Sequence, residues 1–162
     1  MLIGHIPAGY LVTKIILNEI NCTDSEFKFL FWCGVISSIL PDFDLFYYYL
    51  IDNHQHHHHS YWIHIPFYWF VIASFSLLFG LIFHKRMILL ITLIVFSNVM
   101  LHLLLDSVTS KIKWLYPFSD NYFGIFIIPA EYNWWVWSFI FHWTFLIEIT
   151  IFLIASYIFI RQ

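Results

Sequence analysis

Met87-Ile-Leu-Leu-Ile-Thr-Leu-Ile-Val-Phe-Ser-Asn-Val-Met-Leu-His102-Leu-Leu-Leu-Asp106-Ser-Val-Thr109 is the stretch on which the fold turns. It runs 23 residues without a charge until Asp106. About 20 apolar residues carry a helix across the hydrocarbon of a bilayer. His102 and Asp106 lie four residues apart, so a helix presents both from one face. Ionisable groups are costly in such a segment, and those present mark function.

Working outward, residues 61–83 form a second apolar segment of 23 residues, interrupted near its start by His64 and Pro66. A third covers residues 134–160 and contains His142 and Glu148. Residues 2–20 and 27–40 are weaker; the polar turn 21–26 makes them read as a helical hairpin, with Ser25 as a candidate cap and Lys28 snorkelling. Residues 110–133 form a long connection punctuated by Pro117, Gly124 and Pro129. An open sheet edge cannot face lipid. The expected fold is therefore all-α: a polytopic membrane helix bundle of about five helices, in a single membrane-embedded domain over residues 1–162.

Composition points the same way. The chain is 61% hydrophobic and 10% charged, with a mean hydropathy of +0.78, too apolar for a soluble domain. Aromatic residues make up 23%, as suits interfacial belts. A net charge of −3 offers nothing to nucleic acid. The N-terminal stretch lacks a basic region and a small-residue cleavage site, so the first apolar segment is expected to stay. Cys22 and Cys33 sit in apolar surroundings and read as buried small residues rather than a disulfide or thiolate site.

Five alternating passes bring the metal-ligand residue types to one end. His5 opens the first helix, Asp42 and Asp44 follow Pro41 at the end of the second, the run His54 to His59 lies in the next loop, and His102 with Asp106 closes the fourth. The arrangement predicts a metal site at that end. Asp42 and Asp44, two apart, would repel until a cation relieves them. Not all five histidines of the run can be ligands; His56, His57 and His58 are expected to face solvent. Asp52, Ser60 and Thr109 are candidates to orient an imidazole or a water. His142 and Glu148 lie deeper, while His64 and His84 read as interfacial or turn residues. Lys28, Lys85, Arg86 and Arg161 fall opposite the ligand end and Lys111 and Lys113 with it, a balance that places the ligand end on the non-cytoplasmic side.

The order of these clusters resembles the DUF457 family of LexA-regulated, inner-membrane metal-dependent hydrolases. That family shows G-H, L-P-D-x-D, H-R-G-x-T-H-S, H-x-x-x-D-x-x-T and a W-P-like element. The counterparts are Gly4-His5, Leu40-Pro-Asp42-Phe-Asp44, His54-Gln-His-His-His-His59-Ser60, His102 to Thr109, and Leu115-Tyr-Pro117. The resemblance spans residues 4–118 and selects His54 and His59 from the run. It implies the bacterial cytoplasmic (inner) membrane. In the His-rich motif Gln55, His56 and His58 replace Arg, Gly and Thr, which weakens phosphate or carboxylate recognition there. The spacing is also similar to zinc-dependent phospholipase C and P1-type nucleases, although Leu146, not Asp, lies four after His142.

The expected metal ligands are His5, Asp42, Asp44, His59, His102 and Asp106. The candidate catalytic residues are Asp42, which can take a proton from water, His54 and His142. Imidazole and carboxylate without thiolate suit Zn²⁺ first, with Mn²⁺ or Fe²⁺ as alternatives, and one or two ions fit the ligand count. The leading expectation is a membrane-bound hydrolase that uses a metal-activated water on a phosphoester or lipid-type substrate. A site mouth at the interface suits membrane lipid or another amphiphilic small molecule as substrate. The alternative is a membrane protein with a structural or transported divalent metal: a scaffold, a sensor or a metal transporter.

Overall fold

The computed structural model describes residues 1, 3–53 and 55–161. Among them are seven helices and no strand; an isolated bridge joins Ile112 and Phe123. The helices are α1 (His5–Asn18), α2 (Asp24–Ser37), α3 (Asp44–Leu50), α4 (Pro66–Ile82), α5 (Arg86–Thr109), α6 (Trp135–Ile140) and α7 (Phe145–Ile160). The all-helical expectation holds. Three details differ from it.

First, α2 is capped by Thr23, not Ser25. The Thr23 hydroxyl accepts from the Glu26 N–H, and the Glu26 carboxylate accepts from the Thr23 N–H. These reciprocal bonds satisfy two backbone donors that a helix start leaves open. Second, the apolar segment 61–83 is helical only from Pro66. Before it the chain winds through two 3-10 turns, His58–Ser60 and Trp62–His64, and proline then starts the helix where its missing N–H costs nothing. Third, the segment 134–160 breaks between α6 and α7. At the break the His142 ring and the Thr144 hydroxyl bond each other at 2.8 Å, a local competitor to helical hydrogen bonding.

Among the described residues only α5, at 24 residues, is long and apolar enough by itself to cross a membrane. The pair formed by α2 and residues 41–50 passes the same test when taken together, with a bend of 54°. The remaining apolar helices are shorter, 17 residues in α4 and 16 in α7.

Helix α5 is the axis of the packing. Its Ile94 joins Leu17 of α1 and Leu30 of α2 in one core, and its Val99 and Leu103 join Trp69 of α4 in a second. Polar pairs tie the helices between these cores. Asn98 donates to the Thr13 hydroxyl at 3.0 Å, and Ser76 bonds Thr92 at 2.6 Å. Such interhelical bonds between small polar residues are a device of membrane bundles. Far from the candidate ligands, Arg86 bridges Glu26 at 3.0 Å and also reaches the Asn21 carbonyl, joining the α4–α5 turn to the α1–α2 turn. At the opposite end, Glu148 of α7 accepts from the N–H groups of Ile3 and Gly4 at 2.6 and 3.0 Å, clamping the start of α1.

Helices α1 and α2 approach as closely as they do because of two glycines. A Cβ on Gly9 would overlap the Ser38 side chain, and one on Gly34 would overlap Thr13. Thr13 is fully buried and β-branched, and its hydroxyl accepts from Asn98, so turning its side chain away would give up that bond. Gly34→Ala is expected to destabilise the bundle by about 1–3 kcal/mol, the usual cost of overpacking. Chemical unfolding in detergent measures this; an unchanged midpoint would show that α1 and α2 can separate freely.

Candidate metal centre

The local sequence explains how each polar side chain arrives at the site. Pro41 stops α2 and opens a 3-10 turn over Pro41–Phe43, so Asp42 and Asp44 leave the helix end on a tight corner. The two 3-10 turns before α4 carry His59 and His64, and Trp69 of α4 pins them by donating to the Ile63 carbonyl at 2.7 Å. The last turns of α5 carry His102 and Asp106, and α1 begins with His5.

These residues converge. Ligand atoms of Asp42, His64, His102 and Asp106 all lie within 4.8 Å of one another. His102 Nε2 is 3.0 Å from Asp106 Oδ2 and 3.6 Å from Asp42 Oδ1. His64 Nε2 is 3.6 and 3.9 Å from the same two oxygens. His59 Nε2 comes within 3.5 Å of Asp106 Oδ2. On the other side of this carboxylate, Asp106 Oδ1 lies 3.1 Å from His5 Nε2 and 2.5 Å from the amino group of Met1. The His5 and His102 rings stack with centroids 3.8 Å apart.

The two central imidazoles are held in one tautomer. His102 Nδ1 lies 2.7 Å from the Ser38 carbonyl, which can only accept, so Nδ1 carries the proton and Nε2 presents a lone pair. His64 Nδ1 donates in the same way to Asp44 Oδ2 at 2.6 Å. A carboxylate or carbonyl behind a histidine is the usual support of a metal-ligating ring. His64 Nε2, His102 Nε2 and Asp106 Oδ2 are buried without a hydrogen-bond partner. Unsatisfied buried polar atoms cost about 1–3 kcal/mol each, so a convergence of them is unstable unless something fills the centre. A divalent cation fits: the set is imidazole and carboxylate, and the lone pairs point inward.

Electrostatics separates the two histidines of the 3-10 turns. Burial lowers His59 to about 3, with only partial compensation from Asp106. Burial also pulls His64 down, but the carboxylates of Asp106, 3.6 Å away, and Asp44, bonded to Nδ1, outweigh it and hold His64 up at about 9. A proton on His64 offsets two carboxylates, which is the service a cation would render in its place.

The sequence-derived candidates within the described residues fall into distinct places. His5, Asp42, His59, His102 and Asp106 gather around the centre. Asp44 gathers there too, but its carboxylate faces His64 Nδ1 and, at 3.4 Å, His58 Nδ1, rather than the four-residue group. His54 lies outside the described residues. His142 is half-buried at the α6–α7 break with its ring on Thr144, away from the converging atoms. Glu148 serves the backbone of residues 3 and 4. Asp52 bonds the exposed His56, and His57 is exposed as expected. His58 is not solvent-facing; it is half-buried and forms a second possible ligand group with His59 and His64.

His64 is the residue that sequence reasoning missed. The sequence places it at the interface or in a turn, yet it is fully buried at the centre. A signal was present: the H-x4-H spacing occurs twice, as His54 to His59 and as His59 to His64. The structure brings the second pair to the site.

Fold and site together define a class: an all-helical protein whose helix ends gather a His/Asp cluster able to hold a metal ion. The chain belongs to the YdjM inner membrane protein family, whose family model matches residues 1–161; this is the family that the DUF457 resemblance pointed to. No curated protein and no solved structure matches the chain.

Substitutions should separate ligand, support and bystander. His64→Ala is expected to abolish metal retention. Asp44→Asn should weaken it about 10- to 100-fold, as loss of the partner of a ligating imidazole usually does. His142→Ala should leave it unchanged. Elemental analysis of detergent-purified variants under a chelator series reads all three, and equal metal content in wild type and His64→Ala would remove His64 from the site.

Proposed function

We propose that the protein is a membrane-bound, metal-dependent hydrolase acting on a phosphoester of an amphiphilic or lipid substrate. The observation that carries this reading is the set of inward-facing, unpartnered ligand atoms of His64, His102 and Asp106, with the half-buried Asp42 at its open side. Zn²⁺ is the first choice of ion because the ligand set needs no redox partner. When bound, such an ion supplies Lewis acidity and makes a water molecule acidic enough to attack at neutral pH.

The chain's own residues supply the rest. Ser38 and Asp44 fix the orientation of His102 and His64 through their Nδ1 protons. Asp42 is the carboxylate of the four-residue group that retains solvent contact, with 28% of its side chain exposed, so it is placed to accept a proton from attacking water. His142 has no part in this scheme.

The same proposal places the helices in a bilayer as a polytopic bundle, with the site at the non-cytoplasmic interface and an amphiphile reaching it from the membrane. Outward-facing Phe75 and Ile82 on α4 and Phe159 on α7 support it, since bulky apolar side chains in this number suit contact with lipid.

A structural role for the metal is the competing reading, favoured by the burial of His64, His102 and Asp106 to 2% exposure or less. A closed, fully ligated site is inert. Activity decides between the two. Purified protein loaded with Zn²⁺ or Mn²⁺ should hydrolyse a model phosphodiester or a short-chain phospholipid, and Asp106→Asn should remove the activity. Turnover that survives loss of the metal would refute the hydrolase reading, whereas a bound metal with no turnover of any phosphoester would leave the structural one.

A further inference from the structure

Beside the cluster lies a groove of about 430 Å³ between the end of α5 and residues 126–139. Its apolar wall includes Phe126, Trp135 and Phe139, and backbone bonds lay the Phe126 end of it against the last turn of α5. The Ile125 N–H donates to the Ser107 carbonyl at 2.7 Å, and the Phe126 N–H to that of Val108 at 3.1 Å.

The facing wall is polar and positively charged. Thr109 lies three residues after Asp106, about one helical turn further on. It is 5% exposed, and its hydroxyl lacks a hydrogen-bond partner. Lys111 follows, exposed, with no acidic partner among the described residues, whereas the neighbouring Lys113 is bound to Asp120 at 2.9 Å. His57 completes this wall, and its Nδ1 accepts from the N–H of His59.

An unpaired ammonium and a free hydroxyl at one side of an apolar groove complement a phosphate carried on an acyl chain. Lysine meets phosphate as a point charge, and the hydroxyl adds a directed donor. Of the two lysines on this connection, the one that lines the groove is the one left without a counter-charge.

We propose that this groove binds an anionic phospholipid, with its phosphate on Lys111 and Thr109 and its acyl chain along the Phe126–Trp135–Phe139 wall. The inference rests on the hydrolase reading and names the substrate class and the residues that recognise it. Lys111 is a binding residue here; it contacts no ligand atom of the cluster.

Calorimetric titration of the full chain in detergent tests it, with a hydrolysis-resistant phosphonate analogue of dioctanoyl phosphatidate as the probe. Dioctanoylglycerol and inorganic phosphate are the comparison ligands, and Lys111→Gln, Thr109→Val and Lys113→Gln the variants. The phosphonate lipid should bind more tightly than either comparison ligand. Lys111→Gln should weaken it about tenfold, the loss of roughly one charge-assisted contact, with a smaller loss in Thr109→Val and none in Lys113→Gln. Equal binding by wild type and Lys111→Gln would overturn the assignment, as would equal binding of the neutral diacylglycerol or of free phosphate.

Metal content and turnover are read on the same preparations. A protein that binds the lipid through Lys111 but holds no metal would sink the hydrolase reading and leave the groove assignment standing. A metal-loaded, active protein indifferent to Lys111 would do the reverse.

Discussion

Asp106 places a carboxylate, 2% exposed, against ring nitrogens of His5, His59, His64 and His102 at 3.0 to 3.6 Å. Burying that charge costs several kcal/mol, and the cost is recovered only if the group is well paired and its lone pairs are used. Four imidazoles cannot all be donors to one carboxylate without packing like charges together. The Met1 amino group pairs Oδ1 at 2.5 Å, and a cation on the Oδ2 side, which has no partner, resolves the remainder, because it attracts the carboxylate and accepts the imidazole lone pairs. Much of the surrounding structure can be understood as serving this one electrostatic requirement.

The bundle meets it by converging helix ends. Gly9 lets α1 lie against Ser38 at the end of α2, and the Ser38 carbonyl in turn fixes the proton of His102 on α5. Glu148 on α7 holds the start of α1, which keeps His5 stacked on His102. Asp44 orients His64, and Trp69 of α4 holds the turn on which His64 sits. Helices α1, α2, α4, α5 and α7 therefore each contribute a ligand or its support. Removing any one element leaves a neighbour's polar group without its partner.

Part of this was legible in the sequence. His102 and Asp106 are paired by the helical period, which a long apolar segment makes safe to apply. Hydropathy orders the apolar segments, and reading them as alternating in direction sends His5, Asp42, Asp44 and the His run to the same end. The rest depends on details that periodicity does not encode. H-x4-H occurs in two registers between residues 54 and 64, and it is the path through the 3-10 turns that carries His64 inward. Whether Asp44 touches the centre or stands behind His64 is decided by the direction of one side chain at a proline corner. The break that removes His142 from the scheme comes from a side-chain bond to Thr144 within a segment apolar enough to read as one helix.

The most direct test is X-ray absorption at the edge of whichever metal copurifies with the full chain. The account expects a first coordination shell of nitrogen and oxygen alone at about 2.0–2.2 Å, with the multiple-scattering pattern of imidazole. A shell containing sulfur near ~2.3 Å, which would have to come from Cys22 or Cys33, or a protein that retains no metal at all, would contradict it.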